Sequence, residues 1–187
     1  FKKGESFDFS LKILLSMIPG VIIGLFFEDF ITSLFEGKIA LVGGMLLITS
    51  FVLYLADQVS QNNRELDYKN AFYIGIIQAI AILPGISRSG ATIALAVLLK
   101  IDREKAARFS FLMVIPLILG SMAKSIMDGN LSEENTALLP LMIGFVGAFI
   151  TGIFACRWMV ALVKKSQFKY FSFYCILVSL LTILLSL

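Results

Sequence analysis

Six apolar stretches dominate the chain, at residues 11–27, 38–56, 70–99, 107–126, 137–163 and 170–187. A helix that crosses a bilayer needs roughly 20 apolar residues at about 1.5 Å each, and five of the stretches read as ordinary spans. The third has a different pattern. Its apolar run Ala71–Leu83 stops at Pro84-Gly85, a polar cluster comes next, and a second run covers Ala91–Leu99. Each arm has about 9–14 residues, roughly 14–21 Å as helix, against a hydrocarbon core of about 30 Å. The arms predict either one broken span or a re-entrant hairpin that enters and leaves on one side.

Charge between the stretches chooses the hairpin, because loops rich in Lys and Arg stay in the cytoplasm. The loop 164–169 holds Lys164, Lys165 and Lys169 without an acid, and 127–136 holds Asp128, Glu133 and Glu134 without a base. The loop 100–108 carries Lys100, Arg103, Lys105 and Arg108 against Asp102 and Glu104. Two spans separate 100–108 from 164–169, so both face the cytoplasm. The acidic 28–37 loop (Glu28, Asp29, Glu36) is expected outside, and the start (Lys2, Lys3, Lys12) inside. Counting forward puts 57–69 inside as well. Both ends of 70–99 are then cytoplasmic, which requires a hairpin.

Composition agrees with residence in lipid. Of 187 residues 58% are hydrophobic and only 16% charged, too few to coat a soluble globule. The mean hydropathy is +0.91. A net charge of +3, distributed loop by loop, is no nucleic-acid signal. Cys156 and Cys175 lie inside apolar runs and read as small packing residues. Pro19, Pro116 and Pro140 fall within spans, where neighbouring helices satisfy the freed carbonyls. Gly20 and Gly24 have a spacing that permits close helix contact. The chain opens Phe1-Lys2-Lys3 and contains no histidine; we expect a longer protein to extend before it. The reading is an all-α polytopic membrane protein of about five full spans plus one re-entrant helix-turn-helix hairpin at about 70–99. Residues 1–187 form a single transmembrane domain.

The chemistry concentrates at the hairpin turn, Pro84-Gly85-Ile86-Ser87-Arg88-Ser89-Gly90-Ala91-Thr92. A guanidinium at membrane depth costs at least ~2.5 kcal/mol on insertion scales, so Arg88 needs a partner or a wet cavity. Ser87, Ser89 and Thr92 surround it, and Gly85 and Gly90 allow sharp turns and a close backbone approach. The helix beginning near residue 91 offers free N–H donors and the positive end of its dipole. No carboxylate in the segment neutralises Arg88. An anion with several oxygens, phosphate above all, fits every group present. Gln78, about two turns earlier, is placed to orient a water or a phosphate oxygen, or to bond across helices. Arg108 reads as an interface anchor, Arg157 as a side chain reaching toward the surface, and Trp158 with Tyr170 to Tyr174 as an interfacial belt.

The stretch from Gln78 through Pro84-Gly85-Ile86-Ser87-Arg88-Ser89-Gly90-Ala91-Thr92 resembles the second signature of the bacterial integral-membrane undecaprenyl-diphosphate phosphatases, also called bacitracin-resistance proteins. Ala107-Arg108-Phe109-Ser110-Phe111-Leu112 with Ile115-Pro116, Arg157-Trp158 and the closing aromatic helix extend the resemblance along essentially the whole chain. The resemblance implies removal of the terminal phosphate of the C55 polyprenyl diphosphate at the bacterial cytoplasmic membrane, recycling the carrier lipid for peptidoglycan. It implies two inverted repeats whose re-entrant tips meet. Carried onto matching positions, it assigns Ser87, Arg88 and Thr92 to the diphosphate, with Ser89 and Gly90 beside them and Arg88 stabilising developing charge. Arg88 and Ser87 are the catalytic candidates, the attacking group being Ser87 or water. The substrate-binding candidates are Gln78, Ser87, Arg88, Ser89, Gly90 and Thr92.

The family's first signature, two glutamates followed by Pro, two Ser, Thr, Gly and His, is absent. The resemblance therefore implies a divalent metal ion, Mg2+ or Ca2+, whose ligands lie mainly outside this chain. It also implies that the chain is the C-terminal two-thirds of the enzyme and inactive alone. The expected partners are a polyprenyl diphosphate lipid, the bilayer and, as an open case, a second copy. The alternative function is a transporter or flippase for an anionic lipid or solute, since broken hairpins aimed at anions are common there.

Overall fold

A computed structural model describes residues 3–35, 39–60, 64–127, 138–165 and 167–186. The helices in chain order are α1 (Lys3–Phe26), α2 (Glu28–Phe35), α3 (Ile39–Gln58), α4 (Tyr68–Ile80), α5 (Arg88–Leu98), α6 (Arg103–Leu112), α7 (Val114–Met127), α8 (Leu138–Lys164) and α9 (Phe168–Ser186). Five segments among the described residues are long and apolar enough to cross a membrane: Ser6–Gly24, Ile39–Gln58, Arg103–Met127, Leu139–Lys164 and Phe168–Ser186. The chain is an all-α, multi-pass membrane protein.

Two expected boundaries shift. Residues 28–35 form the short helix α2 instead of a loop, because Phe30, Ile31, Leu34 and Phe35 recur at helical spacing and turn Leu34 inward. The fourth span starts at Arg103, earlier than expected, since the Asp102 carboxylate caps it by accepting from the Glu104 and Lys105 amides, each at 3.0 Å. That span divides into α6 and α7 at Met113. Pro116 supplies no N–H to Leu112, and the break falls there. The acidic loop 127–136 lies, but for Met127, outside the described residues, as do Lys2, Glu36 and residues 61–63.

α3 and α9 pack antiparallel along most of their length. Ser50 Oγ lies 2.8 Å from both the carbonyl and the hydroxyl of Ser172. Ser172 Oγ in turn donates to the Ser50 carbonyl at 2.9 Å, and Ser179 Oγ to the Gly43 carbonyl at 2.6 Å. In lipid, where tails are as apolar as leucine, such polar pairs and close backbones hold helices together. The same logic joins α1 to α4. Gly75 sits so close to Ser16 that a Cβ would lie 2.3 Å from the Ser16 carbonyl oxygen.

Between these pairs runs α5, the most enclosed helix, burying Gly90 through Ala94, Ala96 and Val97. It packs on α3, α4 and α6. Both ends of the α4–turn–α5 unit lie at one end of the bundle. Arg64 pairs as a bridge with Ile101, Lys105 meets Glu65 at 3.2 Å, and Arg103 Nη2 donates to the Val59 carbonyl at 3.0 Å. The same end holds Lys164 paired with Glu104 at 2.9 Å, the Phe168 amide donating to Asp57, and Tyr68 bonded to Asp8. The loops that charge parity assigned to one face are thus gathered together.

Candidate active site

At the turn, α4 ends at Ile80 and the chain makes a tight reversal before Ser87 opens α5. The fold permits this because Gly85 adopts φ +94° and a Cβ there would lie 2.4 Å from the Val42 carbonyl oxygen. No other residue type satisfies both demands. Thr49 of α3 then latches the turn. Its hydroxyl accepts from the Ser87 amide at 3.3 Å, while the Gly85 and Met45 carbonyls lie at 3.4 and 3.1 Å as alternative acceptors for its proton. Sequence reading passed over Thr49. A threonine inside an apolar span was its only signal.

The candidate residues separate into distinct places. Ser87 caps α5, its Oγ accepting from the Gly90 amide at 3.2 Å, and its side of the turn is exposed. Gly90 makes that cap fit, since a Cβ would lie 2.9 Å from Ser87 Oγ. Thr92 is buried with its hydroxyl bonded to the Arg88 and Ser89 carbonyls at 2.9 and 3.3 Å. It faces its own helix backbone. The first-turn amides of Arg88 and Ser89 have no carbonyl behind them in the helix.

Arg88 and Gln78 come together. Both line a cavity of about 310 Å³ with Gly20, Gly24, Ile82, Leu117, Ile118 and Ser121. Gln78 is only 1% exposed, and neither its Nε2 nor its Oε1 has a partner among the described residues. A buried amide left without any partner costs about 1–3 kcal/mol, which favours a water or a ligand oxygen in the cavity. Gly20 and Gly24 lie on α1, which packs on α4, and both also line the cavity. A Cβ at Gly24 would meet nothing within 4 Å, and one at Gly20 would lie 3.7 Å from Gln78 Nε2. Among the described residues that line the cavity, none is acidic and the guanidinium is the one formal charge.

Ser89, one residue on, looks elsewhere. It borders a groove of about 950 Å³ between α5, α6, α8 and α9, walled largely by apolar and aromatic side chains. Trp158, Tyr170 and Tyr174, read from sequence as an interfacial belt, line this groove. Arg108 is exposed on α6, whereas Arg103 is buried. Among the described residues no three His, Cys, Asp or Glu side chains gather to hold a metal ion. The resemblance placed the ligands of a divalent ion mainly outside this chain.

Fold and cavity together define a multi-pass α-helical membrane protein with a guanidinium and, among the described residues, an unpartnered amide lining one cavity at a helix N-terminus. Residues 1–181 match the family described as bacitracin resistance protein BacA, and the chain belongs to that family. It is similar to an undecaprenyl-diphosphatase of Christiangramia forsetii, 53% identical over 184 residues, covering 98% of this chain and 70% of the relative. An undecaprenyl-diphosphatase of Bacteroides fragilis is 41% identical over 193 residues, 100% of this chain and 71% of the relative. One of Halothermothrix orenii is 39% identical over 190 residues, covering 100% and 73%.

Proposed function

We propose that the protein is a phosphatase of undecaprenyl diphosphate in the bacterial cytoplasmic membrane, with Arg88 holding the diphosphate. The observation that carries the site assignment is the shared cavity of Arg88 and the unpartnered Gln78. Phosphoryl transfer asks a protein mainly for positioning and charge stabilisation. In this reading water attacks the terminal phosphorus, the bond to the bridging oxygen breaks, and the water's proton leaves with the phosphate products; if the Ser87 hydroxyl attacks instead, a second step in which water cleaves the phosphoserine releases the phosphate. The charge passing to the departing lipid monophosphate meets the Arg88 guanidinium and the first-turn amides of α5. Gln78 holds the attacking water or a phosphoryl oxygen. Ser87 is open to the turn's exposed side with its proton free to donate, since its oxygen accepts the capping bond. Gly90 and Thr92 support the turn from behind. No step here runs through a metal; in this reading a divalent ion takes its ligands from residues outside these 187.

The test is phosphate release from undecaprenyl diphosphate in detergent, with the protein produced at the length its relatives have. Arg88→Ala should lower kcat by about 100-fold or more, the scale on which removing one preorganised transition-state donor acts. Movement of the lipid across vesicles without any hydrolysis would instead support a transporter, and an unaffected Arg88→Ala enzyme would remove Arg88 from the site.

A further inference from the structure

Three helices each bring one polar side chain to the cavity of the guanidinium: Gln78 from α4, Arg88 from α5 and Ser121 from α7. We propose that Ser121 positions the water that attacks phosphorus. The inference rests on the diphosphatase reading above and adds a residue to it.

What Ser121 presents to the cavity is decided by where its proton goes. Its Oγ donates to the Ile118 carbonyl at 3.0 Å, so the lone pairs are the group left on offer. A hydroxyl acting as an acceptor repels phosphoryl oxygens, which are acceptors too, and favours a donor. In the proposed complex the Arg88 N–H groups are committed to the phosphate, which leaves water as that donor. Gln78 Oε1, buried and without a partner among the described residues, is a second acceptor in the same cavity. A water that donates one proton to Ser121 and the other to Gln78 turns its lone pairs to the remaining side, where Arg88 holds the phosphate. Gln78 Nε2 is then left for a phosphoryl oxygen. The cavity of about 310 Å³ has the room, since a water takes about 30 Å³ and needs two to four polar partners. Both acceptors are neutral and take up no proton. As the water oxygen bonds to phosphorus, the electrons of the breaking bond stay on the bridging oxygen, and the water's proton leaves with the phosphate products. Where Ser87 attacks first, the same water cleaves the phosphoserine.

The test uses the protein at the length its relatives have, in detergent, with undecaprenyl diphosphate as substrate and methanol as a competing nucleophile. Methanol has a single O–H and cannot donate to both acceptors, so the wild-type site should select against it. Ser121→Ala removes one acceptor. It should lower kcat roughly tenfold, the scale of one neutral hydrogen bond, with KM nearly unchanged. The ratio of monomethyl phosphate to inorganic phosphate, read by phosphorus NMR, should rise severalfold. Ser121→Thr keeps the oxygen and should keep both wild-type values. A Ser121→Ala enzyme with wild-type kcat and product ratio would overturn the proposal. So would a loss of kcat with an unchanged ratio, including no monomethyl phosphate from either enzyme, which would make Ser121 a packing residue. If the wild-type protein releases no phosphate, the function assignment itself fails. If Arg88→Ala is impaired and Ser121→Ala is not, only the role of Ser121 fails.

Discussion

Arg88 and Gln78 line one cavity, and the proposed reading ties their stability to function. A guanidinium near the middle of a helical hairpin and a buried amide without partners both oppose folding, each by an amount that a ligand with several oxygens would offset. Gln78→Leu should therefore leave the detergent-solubilised protein at least as thermally stable as wild type while lowering phosphate release about tenfold or more. A lower melting temperature would mean the amide is structurally paired. Arg88→Lys keeps the charge but loses the planar fork that grips two oxygens at once. We expect activity between wild type and Arg88→Ala, with the loss mostly in kcat. The arginine was legible from sequence because a charge inside an apolar run demands an explanation. The different orientations of Ser87, Ser89 and Thr92 were not, since three hydroxyls in six residues look alike until the helix start fixes which face each takes.

At the scale of elements, the hairpin turn is held by α3, not by its own sequence alone. Gly85 meets Val42, and Thr49 meets Gly85 and Ser87. Gly85→Ala combines an unfavourable positive φ with backbone overlap. It should lower stability by about 2 kcal/mol or more and abolish most activity. Thr49→Val removes the acceptor of the Ser87 amide while keeping shape. A loss of about 1 kcal/mol is expected, with activity falling more than stability because the turn carries Arg88. If thermal denaturation of Thr49→Val matches wild type and phosphate release is unchanged, the latch has no role. Pro84-Gly85 announced a turn from sequence. Its dock on α3 was hidden, because Thr49 and Ser87 are 38 residues apart. The Ser50–Ser172 pairing, across 122 residues, was hidden for the same reason.

For the whole molecule, the consequential feature is that the α4–turn–α5 unit begins and ends at the same end of the bundle. α4 has 13 residues and α5 has 11, about 20 and 16 Å of helix. Neither arm alone spans a core of about 30 Å. Single cysteines introduced at Lys69, Lys100 and Lys165 in a protein lacking Cys156 and Cys175 should all react with a membrane-impermeant thiol reagent from the cytoplasmic face. Reaction of position 100 from the opposite face would convert the hairpin into a crossing and reverse the orientation of α6 through α9. Enclosure is also uneven: α5 is buried almost all round, whereas the most apolar stretch of α8 has no buried residue. The proposed site therefore sits on the most enclosed of the described helices, which is where preorganised charge is most effective.

Sequence by itself determined the membrane class, the number of long spans, the broken third stretch and the charge at its turn. These come from local composition and from the cost of placing charge and unpaired backbone in hydrocarbon, and neither depends on distant partners. Tertiary structure alone decided that Gln78 joins Arg88 in one cavity, that Gly20 and Gly24 make room there, and that Ser89 opens onto a second space. Each of those facts requires helices far apart in the chain to meet at a particular rotation and depth. Helix packing sets that rotation and depth, and the order of apolar residues does not.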